Sequence, residues 1–152
     1  SPQIGLPGKK QALFSDSFVL IARKGHPAVK KGKLTIEQIK TLPRVTLNLG
    51  NKTNQVDKLF ADLGLTPEQE VVAVNEVSLV PLMVSETDNI GMVQERLATR
   101  LLDTLGLQIV ETDLPHITLI ESVHYHPSKS NDPAIMWLIG MLRKASEIID
   151  VE

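Results

Sequence analysis

The chain has 152 residues, enough for one or two small domains with a real core. Hydrophobic residues make up 42% and charged residues 22%, ordinary for a soluble protein, and a net charge of −2 excludes a global pull toward nucleic acid. There are no cysteines for disulfides or thiolate sites, few aromatics for stacking on bases, and no apolar run of membrane-spanning length, which together fit a cytoplasmic protein with no membrane partner.

Ser1–Gln11 holds Pro2, Gly5, Pro7 and Gly8 and reads as a turn-rich start entered midway, with no apolar signal-peptide core. Leu13–Arg23 follows, and its continuous aliphatic second half predicts a strand buried on both faces. KGHPAVKKGK is a basic loop punctuated by Gly and Pro; solvation explains it more simply than a phosphate or DNA patch. Thr35-x-x-Gln38 is a capping-box pattern that opens a short helix, and Pro43 stops it. Arg44–Asn48 reads as a short strand and Gly50–Asn54 as a polar turn. Thr53 or Asn54 caps a helix Gln55–Leu63, which carries Val56, Leu59, Phe60 and Leu63 at helical spacing before Gly64 terminates it.

The stretch Val71–Leu102 organises the chain. Val71–Val74 is a β-branched run suited to a buried strand. Ser78 is placed to cap a helix with Leu79, Leu82, Met83 and Val84, and Pro81 is tolerated in its first turn. Ser85–Asn89 is a polar turn, in which Asn89 tolerates a left-handed conformation. Ile90–Val93 is a second apolar run, and Arg96–Leu102 suits another helix. Strand, helix, strand, helix at this spacing implies parallel pairing through crossovers, an α/β arrangement. Leu107–Val110 and Ile117–Tyr125 read as further strands. Asp132-Pro133 opens a last helix, Ala134–Ile149, with Ile135, Leu138, Ile139, Leu142, Ala145 and Ile149 on its apolar face.

In open α/β sheets small ligands bind beyond the carboxyl ends of the strands. The loops after the strands at 44–48 and 71–74 thus predict a cleft lined by Asn48, Asn51, Lys52, Thr53, Asn75, Val77 and Ser78. Asn75 and Ser78 are equally read as helix caps. Lys52 is most simply a loop lysine; facing a cleft, it favours an anionic ligand. His124-x-His126 puts two imidazoles on one strand face, yet no carboxylate stands at ligand spacing, so no metal is expected. No nucleotide-binding, hydrolase-elbow or cofactor motif occurs, so neither a cofactor nor an enzyme is expected.

Three stretches resemble the LysR-type transcriptional regulators. LFSDSFVLIARKGHP resembles the opening of their second lobe, NEVSLVPLMVSETDNIGMVQERLATRL the following strand, helix, turn, strand and Arg-Leu-Ala helix, and HYHPSKSNDPAIMWLIGMLR the closing strand, loop and helix of the nodulation-regulator-like branch. The order is kept over nearly the whole chain. The resemblance implies an effector-binding domain with the two-lobed α/β fold of type II periplasmic-binding-protein-like domains, its first lobe incomplete. Residues 1–23 would be the remnant of that lobe with the crossover strand, 24–106 the second lobe, and 107–152 the return strands and final helix. The small-molecule effector would bind between the lobes and bias a dimeric or tetrameric regulator. DNA would be reached only through an N-terminal winged helix-turn-helix that this chain lacks, as it lacks the start of the sensing domain. Asn48–Thr53 and Asn75–Ser78 match the second lobe's share of the pocket by position. Two departures stand out: Ser85–Asn89 replaces the family's usual glycines, and Gln94 stands where Pro is common. The alternative is a stand-alone solute-binding module of the same fold, which an export signal upstream in the gene would support.

Overall fold

The longest strand, β1 (Lys9–Arg23), is built into the middle of a sheet, so its residues must serve two faces. Leu20 and Ala22 point to one layer and Ile21 to the other, and all three are buried. The computed structural model describes residues 8–48, 50, 54–65 and 71–149. In chain order β1 is followed by α1 (Ile36–Thr41), β2 (Arg44–Leu47), α2 (Gln55–Asp62), β3 (Val71–Val74), α3 (Leu79–Ser85), β4 (Ile90–Gln94), α4 (Glu95–Leu101), β5 (Leu107–Val110), β6 (Thr118–Tyr125) and α5 (Pro133–Ile149). Lys9–Gln11 already belong to β1 rather than to a turn-rich start, because β6 pairs with that strand and extends it.

The chain divides into two compact units. One comprises residues 17–117 and is called here the sheet unit. Its strand order is β3-β2-β4-β1-β5. The crossover strands β2, β3 and β4 run parallel, as their spacing predicts, but β2 lies between the other two. β1 runs antiparallel to both β4 and β5, so the sheet is mixed. On one face Leu20, Ala22 and Ile90 pack with Ile39 of α1 and Phe60 of α2. On the other, Ile21, Val45 and Val93 pack with Val80 and Val84 of α3 and Ala98 of α4. The other unit comprises residues 1–16 and 118–152 and holds the start of β1, β6 and α5.

Local signals set most boundaries. Thr35 and Gln38 form the reciprocal capping box of α1. Gly64 (φ 65°) and Leu65 close α2 by donating to Ala61 and Phe60, which ends the helix in a Schellman turn. Asp132 Oδ1 accepts from the amides of Ala134 and Ile135 at the start of α5. Within α5 the buried stripe centres on Ile139 and Ser146; Leu138, expected inward, is 46% exposed, and Ala145 is exposed as well. The helix is covered along a narrower strip than its apolar residues suggest.

Two further corrections concern turns. Ser78 does not cap α3: its backbone is already helical (φ −66°, ψ −22°) and its side chain makes no capping bond. The turn at 85–89 needs no left-handed residue, since Thr87 Oγ1 accepts from both the backbone and side-chain nitrogens of Asn89. The same turn is clasped from outside. Arg23 places Nε and Nη2 on Asp88 Oδ1 at 2.8 and 2.6 Å. Buried His26 accepts from Ala28 N on Nδ1, so its Nε2 carries the proton and donates to the Asp88 carbonyl at 2.9 Å. The basic loop is therefore structural, and its Lys24 and Lys33 are paired with Asp103 and Glu111.

Gly91 sits beneath α3, where an added Cβ would lie 2.8 Å from Val80 Cγ1 and 3.0 Å from Val84 Cγ2. Both valines are fully packed. Gly91→Ala is expected to lower unfolding stability by about 1–3 kcal/mol through overpacking, read by urea unfolding. Adding Val80→Ala should recover part of that loss; an unchanged midpoint in the single variant would show that α3 shifts freely. A second expectation follows from Asp132, whose carboxyl is held below its usual range by Lys129 and by the amides of Ile135 and Ala134. A lowered carboxyl pKa stabilises the fold above the unfolded value, and that stabilisation is lost as pH falls through the folded one. Asp132→Ala should thus lower the melting temperature near neutral pH, and the gap should close below the ordinary carboxyl value of 3.8.

Candidate functional site

Parallel pairing places the ends of β2 and β3 side by side. Leu47 lies opposite Val74, and Asn48 N donates to the Val74 carbonyl at 2.7 Å. The two connections therefore leave the sheet together, as the spacing predicts. Asn48 is exposed and folds its Oδ1 back onto the Gly50 amide at 2.9 Å. Asn51, Lys52 and Thr53 lie outside the described residues.

Asn54 holds the base of the first connection. Its Oδ1 accepts from Asp57 N at 2.8 Å and caps α2. Its Nδ2 donates to the Leu47 carbonyl and to Asp57 Oδ2, each at 2.7 Å. One amide side chain thus ties strand end, loop and helix start together. In the second connection, Leu79 N and Val80 N donate to the carbonyls of Glu76 and Val77, a tight turn that leads directly into α3. Asn75 and Ser78 are exposed there. Val77 is half-buried and lines a cavity of about 50 Å³ inside the sheet unit.

That cavity lies against α2 and brings in residues absent from the expected set, Arg44, Asn54 and Asp57. Arg44 opens β2 and is 8% exposed; its guanidinium carbon stands 4.1 Å from the centre of the Phe60 ring. Its Nε is buried without a hydrogen-bond partner. Burial pushes the Arg44 pKa down, and the charge of Asp57 opposes that shift. Burial pushes the Asp57 carboxyl up, against the opposing effects of Arg44 and Asn54. The cap at Asn54 carried a sequence signal. Arg44 carried none, because its neighbour Phe60 is distant in sequence and a lone arginine at a strand start is usually exposed.

His126 Nδ1 accepts from the Ser128 amide and caps a single 3-10 turn at Pro127–Lys129, while His124 is exposed. Among the described residues, no group of three or more metal-ligating side chains comes together.

The model of the LysR substrate binding domain matches residues 7–147. Nodulation protein D 2 of Rhizobium tropici is 30% identical over 140 residues, covering 91% of this chain and 44% of that protein. Nodulation protein D 1 of Mesorhizobium japonicum is 30% identical over 135 residues, covering 88% of this chain and 42% of its own length. The chain therefore spans less than half the length of these relatives. Among solved structures, a probable transcriptional regulator from Pseudomonas aeruginosa superposes with a TM-score of 0.81 at 22% identity, over 93% of this chain and 47% of that one. The regulatory domain of the Synechocystis regulator CcmR, solved in complex with 2-PG, gives 0.75 at 17% identity, over 96% of this chain and 70% of that one. These neighbours establish the fold, the α/β architecture of type II periplasmic-binding-protein-like domains. The relatives whose names state an activity are regulators rather than enzymes, among them the HTH-type transcriptional regulator SyrM of Rhizobium meliloti, 26% identical over 144 residues. The match over residues 7–147 shows that the chain belongs to the LysR substrate binding domain family.

Proposed function

We propose that the chain is the effector-sensing part of a LysR-type transcriptional regulator that works in the cytoplasm. The family match across residues 7–147 carries this reading. The paired loops support it, because polar side chains at adjacent strand ends are the place where α/β sheets take small ligands. The resemblance seats the effector between lobes, and the sheet unit offers the wall made by the ends of β2 and β3. Asn48, Val77, Asn75 and Ser78 are the described members of that wall, and Asn51, Lys52 and Thr53 join them from sequence alone. Asn and Ser side chains give both donors and acceptors, which suits a small polar, anionic or polyphenolic organic molecule. DNA is reached through the part of the regulator that this chain does not cover.

The test uses the complete product of the gene that encodes this chain. Thermal shift against organic acids and flavonoids should find a stabilising compound. Asn48→Ala, Asn75→Ala and Ser78→Ala should each weaken its binding by about 3- to 10-fold, the loss of one hydrogen bond. Unchanged affinity in all three removes these loops from the site.

We further propose a homo-oligomer, dimeric or tetrameric. Outside the sheet unit, Trp137 and Ile148 are each 68% exposed, Ile120 is 50% and Met141 43%, large apolar side chains whose burial would favour association. Light scattering at tens of micromolar should give a mass above the monomer, and Trp137→Glu should lower it. A monodisperse monomer in the unaltered chain would rule out self-association through this surface.

A further inference from the structure

The cavity against α2 is graded in exposure. Leu47, Asn54 and Val77 form its rim at the strand ends and are half-buried. Leu20, Val45, Phe60, Val80 and Ile90 form its floor and are buried. It is therefore the deep end of the proposed effector wall, and what it can hold constrains the effector.

The polar side chains that line it are already committed. Asn54 accepts from Asp57 N and donates to the Leu47 carbonyl and to Asp57 Oδ2, which uses both of its N–H groups. Arg44 lies on Phe60, and its Nε is sealed from the cavity. The charges of Arg44 and Asp57 offset each other, so an anion finds no net attraction there. Thr46 is left to offer one hydroxyl. A charged or strongly polar group pushed into this space would lose its hydration and regain at most one bond, which is costly. An apolar group is favoured there, because it leaves water for apolar walls. Just outside, Asn75 and Ser78 are exposed, and Ser78 makes no capping bond.

One water needs roughly 10–15 Å³ by this measure, and the cavity has about 50 Å³. We infer that the effector is an amphiphile that enters apolar end first: an uncharged, chiefly aliphatic end group of about four or five heavy atoms fills the cavity, and the polar head stays at the level of Asn75 and Ser78. This names the ligand class of the proposed effector site and rests on that reading. It narrows the polar, anionic and polyphenolic molecules considered above to those with one apolar end.

The probes are linear primary amides, titrated into the 152-residue chain while the methyl groups of Val77, Val80 and Met92 are followed by NMR. From acetamide through butanamide to hexanamide the half-saturation concentration should fall about three- to fourfold per methylene. The gain should level off beyond a tail of about five carbons. In the unaltered chain, intermolecular Overhauser contacts should join Val80 to the terminal methyl of hexanamide and not to the methylene beside its amide. Adipamide, of the same length with an amide at each end, should bind at least about tenfold more weakly. Val77→Phe narrows the rim; in the variant shown to be folded by its methyl spectrum, the gain with tail length should disappear. Affinity independent of tail length, contacts from the head end, or adipamide binding as well as hexanamide overturns the proposal. In the complete gene product, affinity lost in Asn75→Ala and Ser78→Ala without any dependence on tail length keeps the effector wall and overturns the inserted end. Tail contacts that persist at full affinity in both loop variants uphold the inserted end and overturn the wall.

Discussion

Everything in the sheet unit depends on β1 being buried on both faces. Leu20, Ile21 and Ala22 are consecutive, so the pleat must send them alternately to opposite layers. One layer then needs Ile39 and Phe60, and the other needs Val80, Val84 and Ala98. A one-residue slip of β1 against β4 would exchange those sets and put Ile21 where Leu20 packs. The register is therefore set by packing on two sides at once. The close approach of α3 follows from the same constraint, because only a residue without a Cβ lets Val80 and Val84 reach β4 at Gly91. The clasp of Arg23 and His26 on Asp88 fixes the turn that feeds β4, and so holds both ends of that contact.

The proposed site inherits its geometry from this scaffold. Parallel pairing of β2 with β3 brings two connections out together, and Asn54 ties the first of them to the strand end behind it. Polar groups on such connections are positioned by rigid elements, which favours selectivity in a binding loop. The exposed Asn75 and Ser78 keep their side chains free of capping duty. That removes one of the two readings the sequence leaves open for Ser78, and it leaves ligand contact as a role compatible with its position.

Much of the fold is legible in the sequence because its signals are local. Thr35 with Gln38, Asn54, Gly64 and Asp132 each sit within one turn of the group they satisfy, so residue type and spacing suffice. The aliphatic run of β1 announces burial on both faces for the same reason. Strand order is not local. Nothing near Val71 says that β2 will separate β3 from β4, since that depends on which helix covers which face. Ser78 illustrates the limit of a cap signal: the turn at Glu76 and Val77 already supplies helical geometry, so no side-chain oxygen is needed. The topology rule for α/β sheets points to the loop residues Asn48, Asn75 and Ser78, whereas it gives no signal for Arg44 and Asp57. Their partnership arises only when α2 folds onto β2 and brings Phe60 under the guanidinium.

The Arg44–Asp57 arrangement is hard to explain as a stabilising device. Burial lowers the arginine pKa and raises the aspartate pKa, so each charged form is held against its desolvation cost. A raised carboxyl pKa favours the fold below the unfolded value, and that advantage is lost as pH rises through the folded value. At neutral pH the carboxylate therefore weakens the fold relative to an uncharged group of the same shape. An aliphatic pair would fill the same space without that cost. What the pair supplies is polarity beside walls that are otherwise apolar. The contact of Arg44 with Phe60 ties α2 to β2, the strand that also carries the exposed loop of the proposed effector wall.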